Sequence, residues 1–400
     1  MSATTDTFEA PTQAKRHGVL VLGAPGGASG LVTGALGLLT GAALPWPSAA
    51  LARAGDGIAA DACPELAERH DALLAAAGSA WDDWGMLDPS WLRSPAAVAP
   101  KARLFGWLQR RFGDVVPSAH ARTGAEAFLV DDPRACRLVP PWLDVLDAFG
   151  ARPGVVLTVR APLEVAGCLR AASGQSTAVS ALLWLRYLLE AEAATRELPR
   201  VVVLLSDFLA DPAAATTRIA AGLGLPLDTQ AQTARHPEPL APGLQQLPRA
   251  QRRRNLLAQM ALAQPPEVAD WLRACYQALA TLASALPAGE DATALGVLSD
   301  IRADFERATA LFAPLVRHEV AAARASQLQA RTDQVRTAER LQSALEARLE
   351  AREKALMQQA AAREDALRQE VSAVEQQAAA REDALRQEVS AVEQQAAARE

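Results

Sequence analysis

Short, uninterrupted apolar runs return along the first half of this chain at helix-sized intervals: residues 19–22 (VLVL), 127–130 (AFLV), 155–159 (VVLTV) and 201–205 (VVVLL). Each is too short for a helix and carries no polar alternation, the pattern of strands buried on both faces. Between and after them a helical period covers residues 64–77, 102–112, 141–149, 162–171, 178–197 and 213–222, and two further helices are predicted over 250–263 and 266–286. Strands alternating with helices predict an α/β fold, a parallel sheet flanked by helices. In such sheets ligands gather at the carboxyl ends of the strands. The residues to read are therefore those just past each run: the glycine turn after Leu22, Asp131 to Arg134, Arg160, and Ser206 with Asp207.

The first of these turns organises the rest. Residues 18–45 run from an apolar strand through Gly23, Gly26, Gly27 and Gly30 into a helix-length segment of Ala, Gly and Leu. Strand, glycine turn and helix place backbone N–H groups and a helix N-terminus around an anion. A triphosphatase loop also needs a lysine at its end, and the chain's lysines are Lys15, Lys101 and Lys354, so that function is excluded. A membrane or secretory segment is the lesser alternative. Lys15, Arg16 and His17 precede a run without charge until Arg53, and small residues follow at 48–52. Pro25 and the glycines interrupt that run, against the ~20 apolar residues a spanning helix needs. A cytoplasmic chain is the preferred reading.

The net charge of −6 offers no basic face, so nucleic acid is not an expected partner. Cys63, Cys136, Cys168 and Cys275 lie far apart with no CxxC spacing, which suits a reducing compartment and predicts neither a disulfide frame nor a metal site. Trp81, Trp84 and Trp91 cluster in WDDWGMLDPSWL; they either line a sugar-binding wall or, the better-supported reading, plug an irregular segment against the core. Residues 249–254 hold the most basic cluster, Arg249 with Arg252, Arg253 and Arg254, read as a solvated helix face rather than as phosphate ligands.

The segments VLVLGAPGGASGLVTGALGLL, GSAWDD, DDPRACRLVPPWLDVL, VVLTVRAPLEVAGCLRA, ALLWLRYLLEAE and SDFLADPAAATTRIAAGLGLP follow one another as in bacterial sulfotransferase-family proteins, which this chain resembles over residues 18–227. Those proteins share a P-loop-kinase-like fold and bind the sulfate donor 3′-phosphoadenosine 5′-phosphosulfate (PAPS). The resemblance implies PAPS as co-substrate, no metal, and a hydroxyl acceptor, plausibly on a glycan. It implies that Gly26, Gly27, Ala28, Ser29 and Gly30 cradle the 5′-phosphosulfate. Arg160 would hold the 3′-phosphate, a bidentate task suited to a guanidinium, with Cys168 where the family usually has Ser. His70, beside Asp71, is the candidate general base for the acceptor, and His120 is the second choice.

The departures bear on activity. Where the family loop reads like HRSGTS this one reads PGGASG, so Pro25 and Gly26 replace the cationic residues that touch the transferring group. Asp131 stands where a Lys usually precedes DPR, and Arg134 is a nearby cation by sequence. Each lost charge-assisted hydrogen bond removes about 1.5–3 kcal/mol. An Asp131 facing the phosphosulfate at about 4 Å would add repulsion of roughly 4 kcal/mol at an effective dielectric near 20. Two functions are thus expected: sulfuryl transfer from PAPS, or a catalytically degenerate relative serving as a scaffold or binding module.

Residues 1–16 read as a disordered leader, 17–286 as the sulfotransferase-like domain, 287–314 as linker and helix start, and 315–400 as coiled coil. Past Pro314 nothing interrupts a helix, which at 1.5 Å per residue would run about 130 Å. AAAREDALRQEVSAVEQQ starts at Ala360 and again at Ala378. Eighteen residues are five turns of 3.6, so each repeat returns to the same face, with Leu367, Val371, Val374 and Ala378 in one apolar stripe. Such a helix is expected to self-associate as a coiled coil whose strand number and handedness stay open.

Overall fold

The computed structural model of the protein describes residues 16–45, 63–113, 127–225, 270–284 and 291–397. Arg16, the last residue of the expected leader at 1–16, opens the first strand; the rest of that leader, the helix at 250–263, the basic cluster at 249–254 and His120 lie outside the described residues. The chain divides into two compact units, Met1–Ala325 and Ser326–Glu400.

The first unit is built on four parallel strands, β1 (Arg16–Leu22), β2 (Ala127–Asp131), β3 (Ala151–Val159) and β4 (Arg200–Leu204), in the order β2-β1-β3-β4. Alternate residues of each strand feed two separate cores. Val19, Val21, Leu129, Val156, Val201 and Val203 pack under α1 (Ser29–Thr40), α7 (Leu205–Ala210) and α8 (Pro212–Leu223). Leu20, Leu22, Phe128, Val130, Leu157 and Val202 face the other layer. That layer holds α2 (Pro64–Ala76), α3 (Pro95–Phe112), α4 (Val139–Ala148), α5 (Pro162–Ser173), α6 (Thr177–Ala194) and α9 (Asp270–Ser284). Helix on both faces is why the strands carry no polar alternation.

Two differences from the sequence expectation have local causes. β3 starts at Ala151, four residues before the expected run, because Ala151 to Gly154 pair with Arg16 to Val19 of β1 while β4 joins only from Val155. Pro153 thus sits where one side of the strand has no ladder to lose. The residues after β4 form the short helix α7 rather than an extended strand end.

Helix α10 (Ala292–Ala397) begins in the first unit, where Leu298, Ile301 and Phe305 are buried in the core. Pro314 does not end it, and the first unit takes in residues up to Ala325. Among the described residues no helix is long and apolar enough to cross a membrane.

Candidate functional site

β1 lies between β2 and β3, so the order of the sheet reverses around it, and its carboxyl end is where such sheets bind ligands. The glycine turn fills that position. Gly23 must be glycine: a Cβ there would lie 2.2 Å from Thr158 Oγ1, itself fixed by donating to the Leu22 carbonyl at 2.8 Å. The Gly27 N–H donates to the Ala24 carbonyl at 2.7 Å, a turn so tight that a Cβ on Gly27 would meet that oxygen at 2.6 Å. Gly26 (φ 77°) and Ala28 (φ 62°) are left-handed, and Ala28 is the N-cap of α1. A left-handed alanine costs roughly 1–2 kcal/mol, a strain held in place by the turn. Alternating backbone hand of this kind turns amides inward. α1 carries no side-chain cap and no acid in its first turn; its Leu31 N–H donates to the Ala28 carbonyl at 3.1 Å, and the Ser29 and Gly30 N–H groups ahead of it are those suited to an anion.

Arg160, the first residue after β3, reaches this turn. Its Nη1 donates to the Gly26 carbonyl at 2.7 Å, Nη2 pairs with Glu164, and its own carbonyl accepts from Trp184 Nε1 at 3.1 Å. The side chain is 2 % exposed, and among the described residues no hydrogen-bond partner meets its Nε or Glu164 Oε2. A buried guanidinium donor without an acceptor is costly, and a bound anion would meet that need. Cys168 lies half-buried one turn of α5 beyond Glu164.

Asp131 does not face the turn as a bare charge. Its carboxylate accepts from Ser29 Oγ at 2.7 Å and from Thr33 Oγ1 at 2.8 Å, both on α1. Burial pushes its carboxyl up to about 7 against the lowering effect of the two hydroxyls. The Ser29 hydroxyl is therefore engaged with β2, and only its backbone N–H remains for the cradle.

His70 is corrected from its expected role. It is fully buried; Nε2 accepts from Trp142 Nε1 at 2.9 Å and Nδ1 lies 3.2 Å from Asp132 Oδ1. Nε2 is taken by Trp142 and Nδ1 faces Asp132 inside the core, so neither nitrogen is presented to an acceptor hydroxyl. Arg134 is likewise tied down, to Asp71 at 2.7 Å and Asp132 at 3.1 Å. Burial raises the Asp132 carboxyl, but the His70 ring and the Arg134 contacts outweigh it and hold it below the usual carboxylate range.

The tryptophans plug the core. Trp84 and Trp91 are buried, and the Trp81 carbonyl accepts from Tyr187 at 2.6 Å, so no open wall of rings forms. Sequence reasoning missed Cys136, whose Sγ accepts from the Gly23 N–H at 3.1 Å and donates back to its carbonyl at 3.3 Å. It also missed Glu164 and Trp184; only the i,i+4 spacing from Arg160 to Glu164 signalled a pair. Among the described residues no group of three His, Cys, Asp or Glu side chains is placed to hold a metal ion.

No family model and no curated protein matches the chain. Among solved structures, it is similar to the sulfotransferase domain of the Synechococcus PCC 7002 olefin synthase at 15% identity and a TM-score of 0.31, over 64% of this chain and 98% of that one. A likeness of that strength does not establish the fold, which rests on the strand order and register above.

Proposed function

We propose that the chain is a sulfotransferase-like protein whose glycine turn and Arg160 seat PAPS for transfer of its sulfuryl group to a hydroxyl. The observation that carries this is Arg160, brought from the end of β3 to within 2.7 Å of Gly26, with no partner for its Nε among the described residues. The residues fit the donor in kind. Amides of the turn and of α1 suit a phosphosulfate, and a buried guanidinium suits a second phosphate. The Asp131 carboxylate is turned onto the Ser29 and Thr33 hydroxyls of α1 and does not stand uncapped at the turn. A glycan is the acceptor class implied by the resemblance, and the buried tryptophans lend it no support.

A second reading is favoured by one observation: His70 is sealed in the core, while Pro25 and Gly26 supply neither cation nor base. On this reading the chain binds the nucleotide without turning it over and works as a binding module.

Calorimetric titration with 3′-phosphoadenosine 5′-phosphate tests the shared premise. Saturable binding is expected, weakened roughly 10–150-fold by Arg160→Ala, the equivalent of one charge-assisted hydrogen bond. Gly27→Ala, which forces the turn open, should weaken it by about tenfold or more. Absence of binding to the wild-type chain defeats both readings. Label transfer from PAPS to a panel of hydroxyl acceptors then separates them.

A further inference from the structure

In the unit Ser326–Glu400 the apolar side chains of α10 repeat with the sequence. Leu349, Leu367 and Leu385 are eighteen residues apart, as are Leu356 with Val374 and Val371 with Val389, and each is more than half exposed. Eighteen residues make five turns, so these side chains stay on one face from 349 to 389 without drifting around the helix. A seven-residue repeat would drift and impose a supercoil; this period imposes almost none.

We propose that this face is the docking surface for a second copy of the same chain, forming a nearly straight helical pair or bundle. Three observations select that occupant. The repeat at 360–377 recurs residue for residue at 378–395, so a surface that fits one unit fits the other, and the partner best matched to it is itself. Burying a leucine or valine removes roughly 60–120 Å²; with Leu328, Val335 and Leu345 also exposed, the apolar total is on the order of 800 Å² per chain, the size of a standard stable interface. The charges beside the stripe are of mixed sign. Glu364 with Arg368 (2.7 Å) and Glu382 with Arg386 (2.9 Å) are hydrogen-bonded along the helix. No block of like charge bars an identical chain. The proposal is independent of the nucleotide reading.

Sedimentation equilibrium of the full chain tests it. The expected result is a mass of two or more chains, reduced to one by the pair Leu367→Glu and Leu385→Glu. The pair Gln369→Glu and Gln376→Glu adds the same charge on the opposite face and is expected to leave association intact, while far-ultraviolet circular dichroism reports the helix in each variant. A single-chain mass for the wild type at all concentrations overturns the proposal. So does association that survives the leucine substitutions, which would move the interface into Met1–Ala325.

Discussion

Arg137→Ala should lower the unfolding free energy by about 3–5 kcal/mol, the usual cost of breaking a buried charge network by removing one partner. Arg137 is 4 % exposed and, together with Arg186 and Tyr187, which donate to the Trp84 and Trp81 carbonyls at 2.6 Å each, holds the irregular stretch between α2 and α3. Its Nη1 donates to Ser79 Oγ at 3.2 Å, to the Ala80 carbonyl at 3.1 Å and to the Asp83 carbonyl at 2.6 Å, and Nη2 to the Gly85 carbonyl at 2.6 Å. Nε pairs with Glu190 at 3.2 Å. Without it, buried carbonyls lose their donor, and among the described residues Glu190 is left with Arg186 at 3.4 Å and the more distant charge of Arg302. Burial already pushes the Glu190 carboxyl up, with Arg137 and then Arg186 opposing; the variant should push it further. Urea unfolding followed by tryptophan fluorescence measures the loss. Adding Glu190→Gln should recover part of it, because the stranded charge is then gone. A cost below about 1 kcal/mol would place the network among ordinary surface pairs.

Asp131→Asn is expected to stabilise the protein at alkaline pH by up to about 4 kcal/mol and to leave it little changed in acid. The sign follows from the direction of the shift. Burial raises the folded carboxyl from 3.8 to about 7, so the folded state holds this proton more tightly than the unfolded chain does. The stabilisation is fully present below pH 3.8 and is lost as pH rises through about 7. The groups acting on Asp131 are Ser29 and Thr33 from α1, which favour the anion, and Asp132, which opposes it. Asparagine keeps an oxygen for one hydroxyl, can donate its amide to the other, and carries no charge. The stability difference between variant and wild type, measured by urea unfolding from pH 4 to pH 8.5, should grow up to about pH 7 and level off above it. A difference independent of pH would mean that Asp131 titrates normally.

Both effects were out of reach of sequence reading, and for the same reason. Asp131 reads as a charge at a strand end; that Ser29 and Thr33 cap it depends on α1 lying across β2, a contact between positions about a hundred residues apart. His70 beside Asp71 on an amphipathic helix reads as a solvated base. Only the packing of α2 against α4 turns it inward to Trp142 and Asp132. The tie between Cys136 and the first glycine of the turn has no sequence signal, since a lone cysteine reads as an ordinary core residue.

Neighbours along the chain were enough to specify the local elements. Apolar runs of strand length, helical periods between them, a glycine turn after the first strand and an eighteen-residue repeat are local patterns, and each reappears in the structure as β1 to β4, the flanking helices and the stripe of α10. The state of each buried polar group was not legible in that way. Burial exchanges water for whichever partner the fold brings near, and that partner is set by packing between distant segments. Hence the placement of Arg160 against Gly26, the capping of Asp131 and the withdrawal of His70 into the core emerged only when the strands had been assembled side by side.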